Sequence, residues 1–393
     1  MEFLDKYDVA IVGAGPAGSS AAIRLANAGL AILLVEQKKF PREKLCGEFI
    51  SPECLVHFAE LGVMEQLSAV GGTSLSETVF FARNGKGISV ESSWFGEPDS
   101  LALGLSRAEM DLKLLERAMA CGVDVRAGTA ASGLLLDNEK VVGIKLKDKS
   151  GTDVPVSAKL TIDATGRTRS LARRFDKVAV KKPAEYVAFK THLRRAKVAA
   201  GACEIYAYRG GYGGCNRVED DLYNLCFIAS AGDTKRLGSD AERVMREIVF
   251  TNRRAADTMQ NATVAKPWLA VPIQSFGRGT LVPANGLITV GDAAAFIDPF
   301  TGSGMLMALE SARIAAESVV GHFHEASEFH TLSAEYRRNY SAAFDRRLRV
   351  CSLLRHAAFI PFLAESTISV LSLSTTLRRR IARATRFSAG PAS

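Results

Sequence analysis

The sequence predicts an α/β protein, in which a parallel sheet with its helices is interrupted by a mostly antiparallel sheet and followed by a helical C-terminal region. Three observations predict this class. The chain opens on a β-α-β pattern: the buried strand YDVAIV (7–12), a helix from about Pro16 to Ala28, and the strand AILLVE (31–36). Between about 180 and 270, tyrosines and alternating apolar residues lie among glycines, which is typical of antiparallel strands. The buried strand LITV (287–290) then returns before a long helix.

The segments between these landmarks follow the same logic. Residues 107–120 have helical spacing, with Met110, Leu114 and Leu115 on one face. Residues 123–125 read as a short strand, residues 133–146 as a hairpin around Asp137-Asn138, and residues 160–164 as another strand. The chain after residue 326 reads as helical and rich in arginine.

The charge of the chain is concentrated at its C-terminal end. The formal net charge is +8, and residues 326–393 hold 11 Arg and no Lys against four acids, a net +7. The first 325 residues therefore carry only +1, which argues against a nucleic-acid-binding protein.

Cysteine spacing and hydropathy bear on metal binding, redox compartment and membrane insertion. The seven cysteines include no C-x-x-C pair, so the spacing indicates neither a zinc ribbon nor a thioredoxin-type dithiol. We expect no metal site. No secretory pattern opens the chain, and we expect a reduced cytoplasmic protein, either free or peripheral to a membrane. Residues 356–377 hold one charge, Glu365, but also Pro361 and seven Ser or Thr residues, which favours an interfacial helix over a membrane span.

The first chemical motif is Gly13-Ala14-Gly15-Pro16-Ala17-Gly18, between the first strand and its helix. Gly13 permits the tight turn, Gly15 lets the backbone approach a pyrophosphate, and Gly18 lets helix and strand pack closely. The helix N-terminus then faces the phosphates. Glu36 ends the second strand, 18 residues after Gly18, where its carboxylate can accept ribose hydroxyls. This arrangement predicts a Rossmann-like dinucleotide-binding domain.

Two further motifs follow buried strands. Thr161-Ile162-Asp163-Ala164-Thr165-Gly166-Arg167 ends one strand with a carboxylate and a glycine. Gly291-Asp292-Ala293-Ala294-Ala295 follows LITV and leads to Asp298-Pro299-Phe300-Thr301-Gly302-Ser303-Gly304, which opens the helix 305–319. In this order and spacing, residues 7 to 320 resemble the FAD-dependent superfamily of the para-hydroxybenzoate hydroxylase type. Within it, the chain is similar to the branch of geranylgeranyl reductases, flavin monooxygenases and halogenases.

The resemblance implies a role for each motif. Asp292 would accept a hydrogen bond from a ribityl hydroxyl of FAD, and the 299–304 loop would bring a helix N-terminus to the flavin ring. Arg107, in Leu105-Ser106-Arg107, matches the arginine beside the FAD phosphates or ribityl chain; a solvated arginine after a capping serine is the alternative. The expected cofactor-binding residues are Gly13, Gly15, Pro16, Ala17, Gly18, Glu36, Gln37, Arg42, Cys46, Arg107, Gly291, Asp292, Pro299, Gly302, Ser303 and Gly304.

A fourth motif, Phe40-Pro41-Arg42-Glu43-Lys44-Leu45-Cys46-Gly47-Glu48-Phe49-Ile50-Ser51-Pro52, is similar to the segment beside the flavin in geranylgeranyl reductases and halogenases. Cys46 either lines the reaction pocket or is a small buried apolar residue. No basic residue close in sequence identifies an activated thiolate, so covalent catalysis is not expected.

The sequence also departs from the family pattern. The second motif has Asp-Ala where Asp-Gly is usual, which weakens a role in NADPH contact. Ala295 stands where many hydroxylases have histidine. The halogenase W-x-W-x-I-P motif is missing, since residues 266–272 (KPWLAVP) match it only loosely. A second G-x-G-x-x-G is also missing, so NAD(P)H would bind transiently, or a flavin reductase or other donor would supply electrons.

The substrate side is predicted from residues 210–216 (GGYGGCN), where two glycine pairs flank Tyr212. They either leave room for a planar or long apolar molecule or mark a bulged strand. Phe81, Phe95, Tyr208, Tyr212 and Phe227 either line an apolar pocket or form ordinary sheet core. Cys46 and Tyr212 are the candidate catalytic residues, as pocket-lining side chains.

These interpretations define the expected organisation. Residues 1–75, 100–175 and 275–325 form a discontinuous FAD-binding domain, residues 76–99 and 176–274 a substrate-binding β-sheet domain, and residues 326–393 a helical basic region. That region either contacts a membrane surface or a carrier protein or is a solvated helix face.

The expected protein is an FAD-dependent oxidoreductase acting on a small apolar, aromatic or lipid-like substrate. A monooxygenase that hydroxylates or epoxidises through a flavin C4a-hydroperoxide is the first hypothesis. A reductase of isoprenoid C=C bonds, a flavin-dependent halogenase and a non-catalytic flavin-binding protein are the alternatives.

Overall fold

The computed structural model describes residues 6–176, 183–273, 276–296, 302–322, 328–358 and 361–384. The strands of this part of the chain are β1 (Lys6–Val12), β2 (Ile32–Glu36), β3 (Phe49–Ile50), β4 (Thr73–Leu75), β5 (Glu77–Phe81), β6 (Gly87–Glu91), β7 (Ala102–Gly104), β8 (Asp124–Ala127), β9 (Ala131–Asp137), β10 (Lys140–Lys147), β11 (Asp153–Asp163), β12 (Tyr186–Arg194), β13 (Ala202–Tyr208), β14 (Gly211–Arg217), β15 (Tyr223–Ser230), β16 (Thr263–Val264), β17 (Leu269–Ile273), β18 (Gly277–Arg278), β19 (Leu287–Thr289) and β20 (Ala295–Phe296). The helices are α1 (Pro16–Asn27), α2 (Pro52–Glu60), α3 (Met64–Ala69), α4 (Arg107–Ala120), α5 (Ala231–Arg236), α6 (Ala241–Glu247), α7 (Arg253–Met259), α8 (Gly304–His322), α9 (Glu328–Ala358), α10 (Pro361–Ser372) and α11 (Thr375–Ala384).

The first sheet has the strand order β8-β2-β1-β11-β10-β9, and β19 pairs with β11. Strands β8, β2, β1, β11 and β19 are parallel, whereas β9 and β10 form an antiparallel hairpin. Its central strands are buried on both faces, since α1, α4 and α8 cover one face and residues of the β9–β10 hairpin pack on the other. Since the carboxyl ends of parallel strands meet at one edge, the turns after β1, β2, β11 and β19 lie together there.

The second sheet has the order β16-β12-β15-β14-β13-β5-β6, and β17 also pairs with β12. It is antiparallel except for the β13–β5 pair. Helices α5, α6 and α7 pack on one face around Tyr206, Tyr208 and Phe227. The residues between these, such as Ile205 and Cys226, point to the opposite face, because side chains alternate along a strand.

The C-terminal helices fold back over both sheets. Tyr336 and Tyr340 of α9 are buried in the same core as α1 and α8, and the Tyr336 hydroxyl donates to Thr289 O at 2.6 Å. Ile368 and Leu371 of α10 pack against Ile88 of β6. Within the described ranges, no helix has the length and apolar character needed to cross a membrane. The α/β class with an inserted antiparallel sheet and C-terminal helices is confirmed.

Candidate active site

Two glycines of the first motif allow β1, α1 and β11 to pack closely. Gly13 has φ +105°, and a Cβ there would lie 2.3 Å from Ala164 O. A Cβ on Gly18 would lie 1.8 Å from Gly13 O. Both positions therefore exclude larger residues because of backbone contact within the protein.

Gly15 differs, because it opens onto a cavity. A Cβ on Gly15 would meet nothing nearer than Arg107 Nη2 at 3.8 Å and Arg42 Nη2 at 3.9 Å. Pro16 begins α1 directly after it, so the free N–H groups of the helix face the same space. Arg42 Nε is buried and has no hydrogen-bond acceptor among the described residues. A helix N-terminus, two guanidinium groups and an unfilled gap fit the pyrophosphate of a dinucleotide.

Glu36 lies at the end of β2 beside this gap. Its carboxylate accepts the N–H of Ala14 at 3.2 Å and the N–H of Lys38 at 3.0 Å. Arg42 Nη2 also donates to Glu36, at 3.3 Å. Glu36 and the exposed Gln37 line the cavity, in the place where ribose hydroxyls are bound in such folds.

Arg107 begins α4 and is held rigidly. Its Nε and Nη2 both donate to the buried Asp111 carboxylate at 2.8 Å. Arg42 Nη1 contacts the same carboxylate at 3.1 Å. Burial alone would lower the pKa of Arg107, but Asp111 outweighs burial and the pKa is raised. Asp111 thus aims two fixed positive charges into the cavity next to Gly15.

Asp292 lies in the turn that follows strand β19. Gly291, at φ +59°, donates its N–H to Ser311 Oγ at 2.8 Å and turns the chain so that Asp292 lines the cavity. Burial raises the pKa of Asp292, and Arg107, Lys44 and Arg167 partly oppose this rise.

The N-terminus of α8 lies close by. Gly302, at φ +62°, and Gly304 line the cavity, whereas Ser303 is buried and its carbonyl accepts the N–H of Met307. Pro299 lies outside the described residues. A positive helix end placed here suits an electron-rich ring.

One cavity of about 900 Å³ joins the glycine loop to the second sheet. Gly13, Gly15, Pro16 and Ala17 line one end, and Gly18 packs behind them. The other end is mostly apolar, and its lining includes Phe80, Phe81, Ile88, Val90, Phe95, Ile205, Tyr212, Leu269, Val271, Ile368, Leu371 and Ile381.

Two residues considered as pocket lining lie elsewhere. Tyr208 and Phe227 are buried in the core between the second sheet and helices α5 to α7. Tyr208 and Phe227 fall on the strand positions that face those helices, and Tyr212 falls on a position that faces the cavity. Tyr208 and Phe227 are therefore ordinary core residues of the second sheet and do not line the pocket.

Cys46 lines the cavity and contacts both Arg107 of the cradle and Asn224 of the second sheet. Its Sγ accepts the N–H of Glu48 at 3.4 Å, and its carbonyl accepts from Asn224 Nδ2 at 3.2 Å. The tertiary structure also brings Arg107 within interaction range of the thiol. The tertiary structure thus places a basic side chain of α4 beside the thiol.

A buried charged network that no sequence motif indicated holds this segment in place. Glu48 is fully buried and accepts Lys190 Nζ at 2.5 Å and the Arg107 N–H at 2.8 Å, and its second oxygen lies 2.7 Å from His192 Nε2. Lys190 also donates to Glu43 at 2.7 Å, and Lys266 donates to Glu43 at 2.8 Å. The signal available in the sequence was a lysine and a histidine two residues apart within the region predicted to form antiparallel strands. In a strand, that spacing places both on one face.

Glu48 has φ +53°, a left-handed conformation that costs a non-glycine residue about 1–3 kcal/mol. The network compensates for this cost by fixing both carboxylate oxygens. The ligand atoms of Glu43, Glu48 and His192 lie within 4.8 Å of one another, as metal ligands do. The ammonium group of Lys190 forms ion pairs with both carboxylates, so it occupies the position that a metal cation would need.

The network should make the free energy of unfolding depend on pH in the acid range. Burial would raise the pKa of Glu43, but Lys190 and Lys266 lower it to about 2 from 4.5. A depressed pKa stabilises the fold above the unfolded value, so this stabilisation is lost as the pH falls from 4.5 toward 2. In urea unfolding between neutral pH and pH 3, Glu43→Gln should lose less free energy of unfolding than the wild type. Glu139→Gln, on an exposed hairpin, should follow the wild type; identical pH profiles for all three proteins would contradict the assignment.

The comparisons with known proteins agree with this geometry. A digeranylgeranylglycerophospholipid reductase from Methanosarcina mazei is 29% identical over 80% of this chain and 75% of that protein. A menaquinone reductase from Mycolicibacterium smegmatis is 27% identical over 87% of this chain and 84% of that protein. The flavin-dependent brominase Bmp2 superposes with a TM-score of 0.81 at 21% identity, over 97% of this chain and 93% of that one. A geranylgeranyl bacteriochlorophyll reductase-like protein from Thermoplasma acidophilum has a TM-score of 0.77 at 20% identity, over 97% and 96%.

The FAD-binding domain family matches residues 6–342, which include the glycine loop, Arg107 and Asp292. The chain therefore belongs to the FAD-binding domain family and is an FAD-dependent oxidoreductase.

Proposed function

We propose that this protein reduces a C=C bond in an isoprenoid chain of a lipid. One observation carries the proposal: the dinucleotide cradle opens directly into an apolar chamber of the same cavity. A flexible hydrocarbon chain can fill such a chamber, because ligand sites are mostly apolar with few polar groups. The names of the M. mazei and M. smegmatis relatives support a lipid substrate with an isoprenoid chain.

Different residues of the chain would bind the cofactor and align the substrate. FAD, when bound, supplies the hydride. Arg42, Arg107 and Gly15 would hold its pyrophosphate, and Asp292 and the N-terminus of α8 line the same cavity. The apolar lining excludes water and aligns the substrate chain.

We assign the accompanying proton to the Cys46 thiol. Cys46 lines the cavity beside Arg107 of the cradle, and the hydrogen bonds of Glu48 and Asn224 fix its position. Hydride and proton together saturate the double bond. Transient binding of NAD(P)H is the proposed source of electrons for the next turnover.

Monooxygenation is the second candidate. The same apolar lining would protect oxygen chemistry from water, as a monooxygenase requires. The two candidates differ in what oxidises the reduced protein.

The test begins with anaerobic reduction of the holoprotein by NADPH. Addition of geranylgeraniol should then reoxidise the flavin and give a product two hydrogens heavier. If the reduced protein ignores the alkene and reacts only with oxygen, the monooxygenase is supported; if no donor reduces it, both proposals fail.

Cys46→Ala should lower the rate of the alkene-dependent step by about 100-fold or more, the usual loss for a general acid. FAD content should stay close to that of the wild type, because the variant keeps the glycine loop, Arg42, Arg107 and Asp292. Cys121→Ala removes a partly exposed thiol outside the cavity and should keep the wild-type rate. Equal rates for the two variants would remove Cys46 from the mechanism.

A further inference from the structure

The C-terminal hairpin, α10 with α11, forms one wall of the cavity. Ile368 and Leu371 of α10 and Ile381 of α11 line it from inside. The hairpin is anchored at Trp94: the Arg378 guanidinium lies 5.8 Å from the centre of its ring, and Arg383 Nε donates to its carbonyl at 3.1 Å. The apolar chamber therefore ends against these two helices.

The outer side of the hairpin carries exposed apolar side chains. Val370, Leu373 and Leu377 are 55%, 85% and 40% exposed, and they surround the turn between α10 and α11. We call these three residues the apolar tip. Large aliphatic side chains clustered at a surface turn indicate a site that binds another apolar surface, either of a protein or of a membrane.

The charged residues that follow Glu365 in the chain are all basic. The chain has no acidic residue after Glu365, and residues 366–393 include five arginines. Arg379 and Arg380 on α11 are exposed and line no part of the cavity. Leucines flanked by arginines match the boundary of an anionic bilayer, where the aliphatic groups enter the acyl region and the guanidinium groups meet phosphates. An acidic protein would satisfy the arginines and leave no specific cover for the leucines.

We propose that the apolar tip and Arg379–Arg380 dock this protein on an anionic phospholipid bilayer. The inner side of the same hairpin lines the apolar chamber, so docking places the cavity wall at the lipid surface. A lipid substrate then enters without crossing water. The bilayer contact stands on its own, whereas the entry of substrate by this route rests on the proposed reduction of a lipid.

The test measures binding of the holoprotein to vesicles by co-sedimentation. Vesicles of phosphatidylcholine and phosphatidylglycerol in equal parts should bind the protein, and vesicles of phosphatidylcholine alone should bind it weakly. The Arg379→Gln/Arg380→Gln double variant should bind the anionic vesicles roughly 30-fold more weakly, the effect expected for two arginines near an anionic surface. Leu373→Ser should weaken binding by about tenfold.

The matched control is Arg243→Gln/Arg246→Gln. These two exposed arginines lie on α6, which packs on the face of the second sheet opposite the cavity. The control carries the same change of charge and should bind like the wild type. Equal weakening by both double variants, or no binding of the wild type to anionic vesicles, would overturn the proposal. FAD content and flavin reduction by NADPH, measured without vesicles, report separately on the proposed function.

Discussion

Gly15→Ala should abolish tight FAD binding and leave the apoprotein as stable as the wild type. The backbone at Gly15 has φ −81°, which alanine adopts, and its Cβ would be in ordinary contact with Arg42 and Arg107. The added methyl group would occupy the gap between the α1 N-terminus and these guanidinium groups. We expect the affinity for FAD to fall on the order of 100-fold, about 2.7 kcal/mol, measured by titrating FAD into apoprotein.

Gly232→Ala is the matched control, because a Cβ there has no neighbour within 4 Å and the residue lies in α5, away from the cavity. It should bind FAD like the wild type. Gly18→Ala is the contrasting variant: its Cβ would clash with Gly13 O, so the fold itself should be destabilised. Wild-type affinity in Gly15→Ala would place the pyrophosphate elsewhere.

Glu48→Ala should cost about 3–5 kcal/mol of unfolding free energy, because it leaves the buried Lys190 ammonium without one of its two carboxylates. It also removes the acceptor of the Arg107 N–H and the fixed partner of His192. Arg107 and the Cys46 segment should lose their alignment, so FAD affinity should fall together with stability. Urea unfolding and FAD titration measure the two effects.

Glu204 provides a control for burial alone. It is a second buried glutamate, paired with Arg254 within the core of the second sheet. Glu204→Ala should be destabilised to a similar degree and should keep the wild-type affinity for FAD. Glu48→Gln keeps the side-chain volume and should show a smaller loss of both properties if Glu48→Ala does not fold. Unchanged FAD affinity in both Glu48 variants would confine Glu48 to a structural role.

The cofactor cradle was predictable because its determinants are local. A strand, a turn and a helix are contiguous in the chain, so Gly13, Gly15, Gly18 and Glu36 are separated by fixed spacings. The side chains that line the substrate chamber could not be predicted from local spacing in the same way. Tyr208 and Tyr212 have the same local composition, and only the face of the sheet that α5 to α7 cover decides which of them reaches the cavity.

By itself, the sequence determined the α/β class, the parallel β-α-β unit, the dinucleotide loop and the basic C-terminal region, because periodicity and short-range spacing encode them. The tertiary structure alone decided the contacts between distant segments. Lys190 forms an ion pair with Glu48, 142 residues away in the chain, and Arg107 contacts Cys46. Arg383 donates a hydrogen bond to the carbonyl of Trp94, 289 residues away. Such contacts depend on how the two sheets and the C-terminal hairpin pack together, and no local pattern of side chains records that packing.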